Sequence, residues 1–147
     1  MITREIIFGI SAAAVLLGGL APIAMAQDGP PDTWDDISVS EWRQMVKGRT
    51  VTYRIGGQLW AHEAYDTSGN RVAIRTADGS CMEGTWSYDN GAYCFAWDAA
   101  AASCFRHVRQ GSEILIVPLI DGVPSGAVQT VEGVSDIPLN CGPDLTS

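Results

Sequence analysis

The stretch CMEGTWSYDNGAYCFAWDAAAASCFRHVR, residues 81–109, decides the fold because it predicts three consecutive antiparallel strands. Asn90-Gly91 predicts the first turn, since a two-residue type I′ turn needs positive φ at both central positions and this dipeptide tolerates it best. The second turn falls within residues 98–102. The chain is therefore expected to be mainly β.

The first turn determines which residues face each other across the hairpin. It places Trp86 opposite Phe95 and Ser87 opposite Cys94, and side chains along a strand alternate between the two faces. The opposite face carries small or polar side chains. We expect the aromatic face to be buried; it carries Met82, Gly84, Trp86, Tyr88, Tyr93, Phe95, Trp97, Phe105 and His107.

The four cysteines, Cys81, Cys94, Cys104 and Cys141, predict two disulfides in an oxidising compartment. The hairpin register separates Cys81 from Cys94 by roughly 20 Å, at about 3.3 Å per residue. It also puts the strand of Cys94 between Cys81 and Cys104. The remaining pairing is Cys94 with Cys104 and Cys81 with Cys141. A zinc site is the alternative for four cysteines, but the chain has no Cys-x-x-Cys pair.

The N-terminus predicts export. Residues 6–23 are apolar, Arg4 precedes them, and Ala24-Met25-Ala26 supplies the small residues that signal peptidase needs, so residues 1–26 are expected to be a signal peptide cleaved before Gln27. An uncleaved membrane anchor is the alternative. The net charge of −8 argues against nucleic acid or an anionic membrane as a partner. We expect a periplasmic or secreted protein that leaves the membrane after cleavage.

The chain order predicts a barrel. Residues 27–37 are expected to be a flexible leader, and a capping box of Ser38 and Glu41 begins a short helix that ends at Gly48. From Thr50 onward, eight short strands joined by tight turns predict an antiparallel meander that curls into a barrel or half-barrel, ending with a strand over residues 126–131. The helix plugs one end or lies across the outside. The domain is expected over residues 38–133, with a tail over 134–147.

Several turn and cysteine motifs follow one another along the chain: Gly48-x-Thr50, Ala64-Tyr65-Asp66-x-x-Gly69-x-Arg71, Gly84-Thr85-Trp86, Tyr93-Cys94, Ser103-Cys104-Phe105, Gly111 and Asp121-Gly122. Together they resemble a family of small exported proteobacterial proteins with no assigned function, and the likeness spans Glu41 to Gly133. It implies a barrel-like domain and a disulfide between Cys94 and Cys104, to which Cys81 and Cys141 are an addition. A looser likeness of the Gly-x-Trp motif is to lipocalins and avidins.

Candidate ligand or rim contacts are the aromatic and imidazole side chains Trp60, His62, Trp86, Trp97 and His107. Alternation puts His62 on the same side of its strand as Trp60. The two histidines, Met82 and a thiol could suggest a periplasmic copper site, but they follow no metal-ligand spacing, and no metal or cofactor is expected. The carboxylates Glu63, Glu83, Asp98 and Glu113 are scattered and match no catalytic signature, so no catalytic residue is assigned.

The expected function is therefore a non-catalytic binding or interaction module of the bacterial envelope, whose partner is an envelope protein or a small ligand. One alternative is a lipocalin-like carrier of a small apolar ligand, with a cavity lined by Trp60, Trp86 and Phe95. The other is a hydrolase or metal-dependent enzyme at a barrel rim near His62 and His107.

Overall fold

The structure is a computed structural model that describes residues 33–141. The predicted signal peptide, residues 27–32 of the leader and the last six residues of the tail lie outside the described residues. One helix and ten strands follow in chain order: β1 Asp35–Asp36, α1 Val39–Val46, β2 Thr50–Ile55, β3 Gln58–Tyr65, β4 Arg71–Thr76, β5 Cys81–Asp89, β6 Ala92–Trp97, β7 Ser103–Gln110, β8 Glu113–Ile120, β9 Val123–Pro124 and β10 Gln129–Ser135.

Eight of the strands close into an antiparallel barrel, which confirms the predicted meander and decides between the barrel and the half-barrel. Strands β2 to β8 pair in sequence order, and β10 closes the ring by pairing with both β8 and β2. The two remaining strands are short additions at the edges, with β1 on β7 and β9 on β8. Closure removes the free sheet edges that would otherwise invite association.

The hairpin register and the disulfides are confirmed. Asn90 and Gly91 have φ of 48° and 82°, as a type I′ turn requires. Trp86 lies opposite Phe95, and Cys94 lies opposite Cys104. The Cys94–Cys104 disulfide joins the outer sides of β6 and β7, and the Cys81–Cys141 disulfide ties the tail to the start of β5.

The helix plugs one end of the barrel. Ser38 caps it by accepting a hydrogen bond from the Glu41 N–H (3.2 Å), and Trp42 and Val46 are buried. The Trp42 ring lies among interior side chains of β3, β6 and β7, so the helix is not laid across the outside. We call this the closed end. The other end, where the β2–β3, β4–β5 and β6–β7 turns lie, is the open end.

Two predicted boundaries were wrong. The last residues of the supposed leader, Asp35 and Asp36, pair with β7, and Ile37 is buried with its N–H donating to the His107 carbonyl. The folded part therefore begins before Ser38. The last barrel strand is Gln129–Ser135 rather than residues 126–131, because a register shift after Val131 lets β10 continue along β2.

Candidate functional site: the cavity at the open end

A cavity of about 150 Å³ occupies the barrel interior toward the open end. Its wall is mostly apolar, and three titratable side chains, those of Tyr53, Glu63 and His107, contribute to it. An apolar wall with a few polar groups is the usual composition of a small-ligand site. The apolar lining consists of Trp60, Ile74, Met82, Phe95, Trp97, Phe105 and Ile116.

A β-bulge brings Trp60 into this wall. Tyr53 pairs with Ala61 but Arg54 pairs with Leu59, so Trp60 is an extra residue in β3. A bulge re-aims the side chain of the inserted residue. Trp60 is 39% exposed and lines the cavity, where it forms part of the rim of the open end.

The same bulge corrects the predicted placement of His62. Because one extra residue reverses the facing of every side chain beyond it, Ala61, Glu63 and Tyr65 point into the barrel and His62 points outward. The His62 Nδ1 atom lies 3.0 Å from the Thr52 Oγ1 atom on the outer wall. Trp60 and His62 therefore do not share a face, although strict alternation predicts that they do.

Trp97 lies in the cavity wall because Gly84 makes room for it. Its ring stacks on that of Phe95, with centroids 5.6 Å apart, and its Nε1 donates to Ser103 Oγ (3.3 Å). A Cβ atom on Gly84 would lie 2.9 Å from Trp97 Cε3 and 2.5 Å from the Ala96 carbonyl oxygen. The glycine of the Gly-Thr-Trp motif thus serves the packing of the open end.

Glu63 is a carboxyl group buried in the barrel interior, 3% exposed. The Tyr53 and Tyr65 hydroxyls both donate to its Oε2 atom, at 2.6 and 2.8 Å. Burial raises the pKa of Glu63 to about 7, although the two phenol hydrogen bonds act in the opposite direction. Burial also raises the pKa of both tyrosines well above 10. Glu63 thus changes charge near neutral pH inside the barrel.

His107 is a buried imidazole without a hydrogen-bond partner among the described residues. It is 1% exposed, its ring stacks on Tyr93 with centroids 3.8 Å apart, and neither Nδ1 nor Nε2 has a partner. Burial lowers its pKa to about 3, so the ring is neutral at pH 7, with one N–H donor and one acceptor nitrogen. An unsatisfied buried polar group costs about 1–3 kcal/mol, so a pair of them calls for an explanation.

Glu63 and His107 face the cavity from opposite walls. Glu63 is on β3 and His107 on β7, and these strands are four positions apart in either direction around the eight-stranded ring. Both belong to the layer just beneath the helix, since Tyr65, which bonds Glu63, and His107 itself contact Trp42. A molecule in the cavity would lie between a carboxyl group and an imidazole.

The remaining predicted contact, Trp86, lies at the closed end. Its ring is buried next to Tyr65 and Tyr93, and the Arg43 guanidinium carbon lies 4.5 Å from its centroid. Trp86 lines an outer groove of about 270 Å³ beside the helix, which is larger than the cavity. The polar residues of that groove are exposed and already in water, so they do not call for a ligand.

The predicted residues therefore divide into three places. Trp60, Trp97 and His107 meet at the cavity, Trp86 is at the closed end, and His62 is outside the barrel. Sequence reasoning missed Glu63 as a site residue. Glu63 lies two residues from both Ala61 and Tyr65, so strand alternation puts these three side chains on one face. The bulge that turns this face into the barrel has no clear mark in the sequence.

Across residues 33–141, no group of three or more His, Cys, Asp or Glu side chains is arranged to hold a metal ion. Within the same range, no helix has the length and apolar character to span a membrane. The two disulfides fit an oxidising compartment.

Compared with known proteins, the chain matches no protein-family model, no curated protein and no solved structure. The resemblance to the small exported proteobacterial proteins therefore stays a prediction.

Proposed function

We propose that this protein is an exported binding module of the bacterial cell envelope, working in the periplasm, that holds a small ligand in the cavity at the open end. The observation that supports this proposal most strongly is the buried, unpartnered imidazole of His107 in the wall of a 150 Å³ cavity. A ligand with a hydrogen-bonding group would pair with one of the two ring nitrogens and remove that part of the cost.

The size of the cavity limits the ligand. An apolar cavity of about 150 Å³ can hold one benzene-sized molecule, whereas sites for drug-sized ligands measure roughly 300–1,000 Å³. The proposed ligand is therefore much smaller than the hydrophobic molecules that a lipocalin-like carrier would hold. The cavity wall contains Trp60 and Phe95 but not Trp86, so the lining proposed for such a carrier is only partly present.

The rim supports binding at the same end. Leu59 and Trp60 are partly exposed on β3, and Ile120 and Val123 are largely exposed at the β8–β9 turn. Strands β3 and β8 run in directions that put all four residues at the open end. Exposed apolar groups around a cavity mouth are typical of a site that contacts a ligand or partner.

Native mass spectrometry of the protein purified from its own periplasm tests the proposal. We expect a co-purified small mass that is lost on unfolding. In the variant Ile74→Phe, which adds volume to the cavity wall, we expect that mass to be absent. The matched control is Ile137→Phe, the same substitution at a site 72% exposed and outside both the cavity and the rim, which should retain it. Absence of any bound mass in the wild type, together with no binding in a screen of small polar aromatics, would contradict the proposal.

A second candidate is acid–base catalysis on the same ligand, and it is favoured by one observation. Glu63 has a pKa near 7, which suits a group that must both take and give a proton at neutral pH. Conversion of the ligand separates the two candidates: a binding module leaves it chemically unchanged in both the wild type and Glu63→Gln, whereas an enzyme would convert it in the wild type alone. The rim enzyme that would use His62 with His107 has no shared site, since the barrel wall separates them.

A further inference from the structure

Resting on the proposed function, we infer that the ligand is a small organic cation, a protonated amine, whose ammonium group lies against the Glu63 carboxylate and the His107 ring nitrogen. Three features of the cavity support this class of ligand: the charge of its lining, the positions of its hydrogen-bonding atoms and its aromatic surface.

The lining disfavours an anion. It contains neither lysine nor arginine, and its one carboxyl group is that of Glu63. A buried carboxylate repels a second negative charge, and a buried charge is tolerated when it is paired. A cation supplies the opposite charge that this site lacks. The whole chain is also strongly acidic, with a net charge of −8, which favours the approach of cations over anions.

The polar atoms of the site suit a donor. Among the described residues, the hydrogen bonds to the Glu63 carboxylate go to Oε2, from Tyr53 and Tyr65. The second oxygen, Oε1, is the one left for a ligand. The neutral His107 ring offers one acceptor nitrogen on the opposite wall. A primary ammonium carries three N–H donors, enough for both acceptors, whereas a quaternary ammonium has none and would leave the His107 acceptor nitrogen unpaired.

The aromatic lining suits the positive charge. Trp60, Phe95, Trp97 and Phe105 all contribute to the wall. The faces of aromatic rings attract cations, most strongly when water is excluded. An aliphatic or aromatic body of the amine would rest on Ile74 and Met82. The cavity thus combines a carboxylate, an acceptor nitrogen and ring faces around one benzene-sized space.

The charge state of Glu63 makes binding depend on pH. The titratable groups of the interior around it are Tyr53 on β2, Tyr65 on β3, Tyr93 on β6 and His107 on β7. The other elements, α1, β4, β5, β8 and β10, contribute Trp42, Ile74, Met82, Ile116 and Gln129, which do not titrate. The phenol pKa values are well above 10, and that of His107 is about 3, so Glu63 is the group among them that changes charge between pH 6 and 8. Affinity for an ammonium ion should therefore fall about tenfold from pH 8 to pH 6.

The experiment compares three probes of nearly equal shape: benzylammonium, benzyl alcohol and benzoate. Each is titrated into the full mature chain, with calorimetry for affinity and the Trp60 and Trp97 indole resonances for location. We expect benzylammonium to bind at least tenfold more tightly than benzyl alcohol at pH 8, and benzoate more weakly than both. Glu63→Gln should abolish this preference and the pH dependence. Glu83→Gln, which removes an exposed carboxylate, is the control that should change neither.

The outcomes separate the two proposals. Benzyl alcohol or benzoate binding as tightly as benzylammonium would overturn the inference of a cation and leave the small-ligand function standing. Failure of benzylammonium and of the smaller propylammonium to bind would also overturn it, and the co-purified mass would then decide the proposed function. Benzylammonium binding that is unchanged in Glu63→Gln would show that the cation binds elsewhere and would reject the site.

Discussion

The two ends of the barrel are built from similar aromatic side chains, yet one is filled and the other is hollow. At the closed end, Trp42 is 0% exposed and its ring lies 4.4 to 6.2 Å from those of His107, Tyr65 and Tyr93. At the open end, Trp60 is 39% exposed beside a 150 Å³ cavity. The difference arises because a helix inserts a side chain at one end alone. Aromatic content therefore predicts a core but not where the core stops.

Removing the plug should produce the largest loss of stability. We expect Trp42→Ala to lower the free energy of unfolding by about 3–5 kcal/mol, because it leaves a large void among three rings. Trp60→Ala removes the same side chain from the open end and should cost under about 1.5 kcal/mol, since that ring is only partly buried. Urea unfolding measures both. Equal losses would mean that the helix does not fill the closed end in the way described.

The two disulfides should differ in their contribution to stability. By the chain-entropy model, replacing Cys81 and Cys141 with alanine, which opens a sequence separation of 60, costs about 4 kcal/mol; replacing Cys94 and Cys104, with a separation of 10, costs about 3 kcal/mol. Thermal unfolding of the two double variants gives the order. The first variant should also lose hydrogen-exchange protection in the tail next to the open end, and the second should not. The reverse pattern would argue against the tail being held by Cys141.

The interior carboxyl group should make stability fall as pH rises. The pKa of Glu63 is raised from 4.5 to about 7 in the folded protein, so its contribution is fully present below pH 4.5 and is lost progressively as pH rises to 7. As pH rises from 4 to 8, the wild type should lose about 3 kcal/mol of stability that Glu63→Gln does not lose. Urea unfolding across that range measures the difference. A constant difference would show that Glu63 is not desolvated.

The interior imidazole should act in the opposite direction. The pKa of His107 is lowered from 6.5 to about 3, so its contribution is present above pH 6.5 and is lost as pH falls toward 3. His107→Phe should remove this acid sensitivity while Glu63→Gln keeps it. His62→Phe, on the outer wall, is the matched control and should lose stability at low pH as the wild type does. If the loss of stability at low pH disappeared in His62→Phe instead, His107 would not be its source.

The ion pair that fastens the helix should give the smallest effect. The Arg109 guanidinium donates to Glu41 Oε1 from Nε (3.1 Å) and Nη2, and both side chains are partly exposed. We expect Arg109→Gln to cost under about 1 kcal/mol, since exposed pairs are screened by water and salt. Arg71→Gln, in a more exposed pair with Glu83, should cost less still. Chemical denaturation at low and high salt tests this order, and a loss above 2 kcal/mol at Arg109 would show that the pair, rather than Trp42, anchors the plug.

Local signals were enough to predict the hairpin, the helix cap and the cysteine pairing. The turn at Asn90-Gly91 depends on backbone conformations that few residues tolerate, and the register that follows from it leaves one cysteine pairing possible. The site was predicted only in part. His107 was placed correctly on the aromatic face, whereas Glu63 was grouped with the scattered carboxylates because no local signal marks the bulge at Trp60.

The sequence by itself determined the mainly β class, the order of strands and the covalent framework, because each follows from contacts between residues near in the chain or from the chemistry of a turn. The tertiary structure alone decided that the ring closes completely, that the helix fills one end, and that Glu63 and His107 face each other across the cavity beneath it. These features depend on strand curvature and on the extra residue Trp60 in β3. The effect of that residue is set by the packing of the whole barrel rather than by the residues next to it in the sequence.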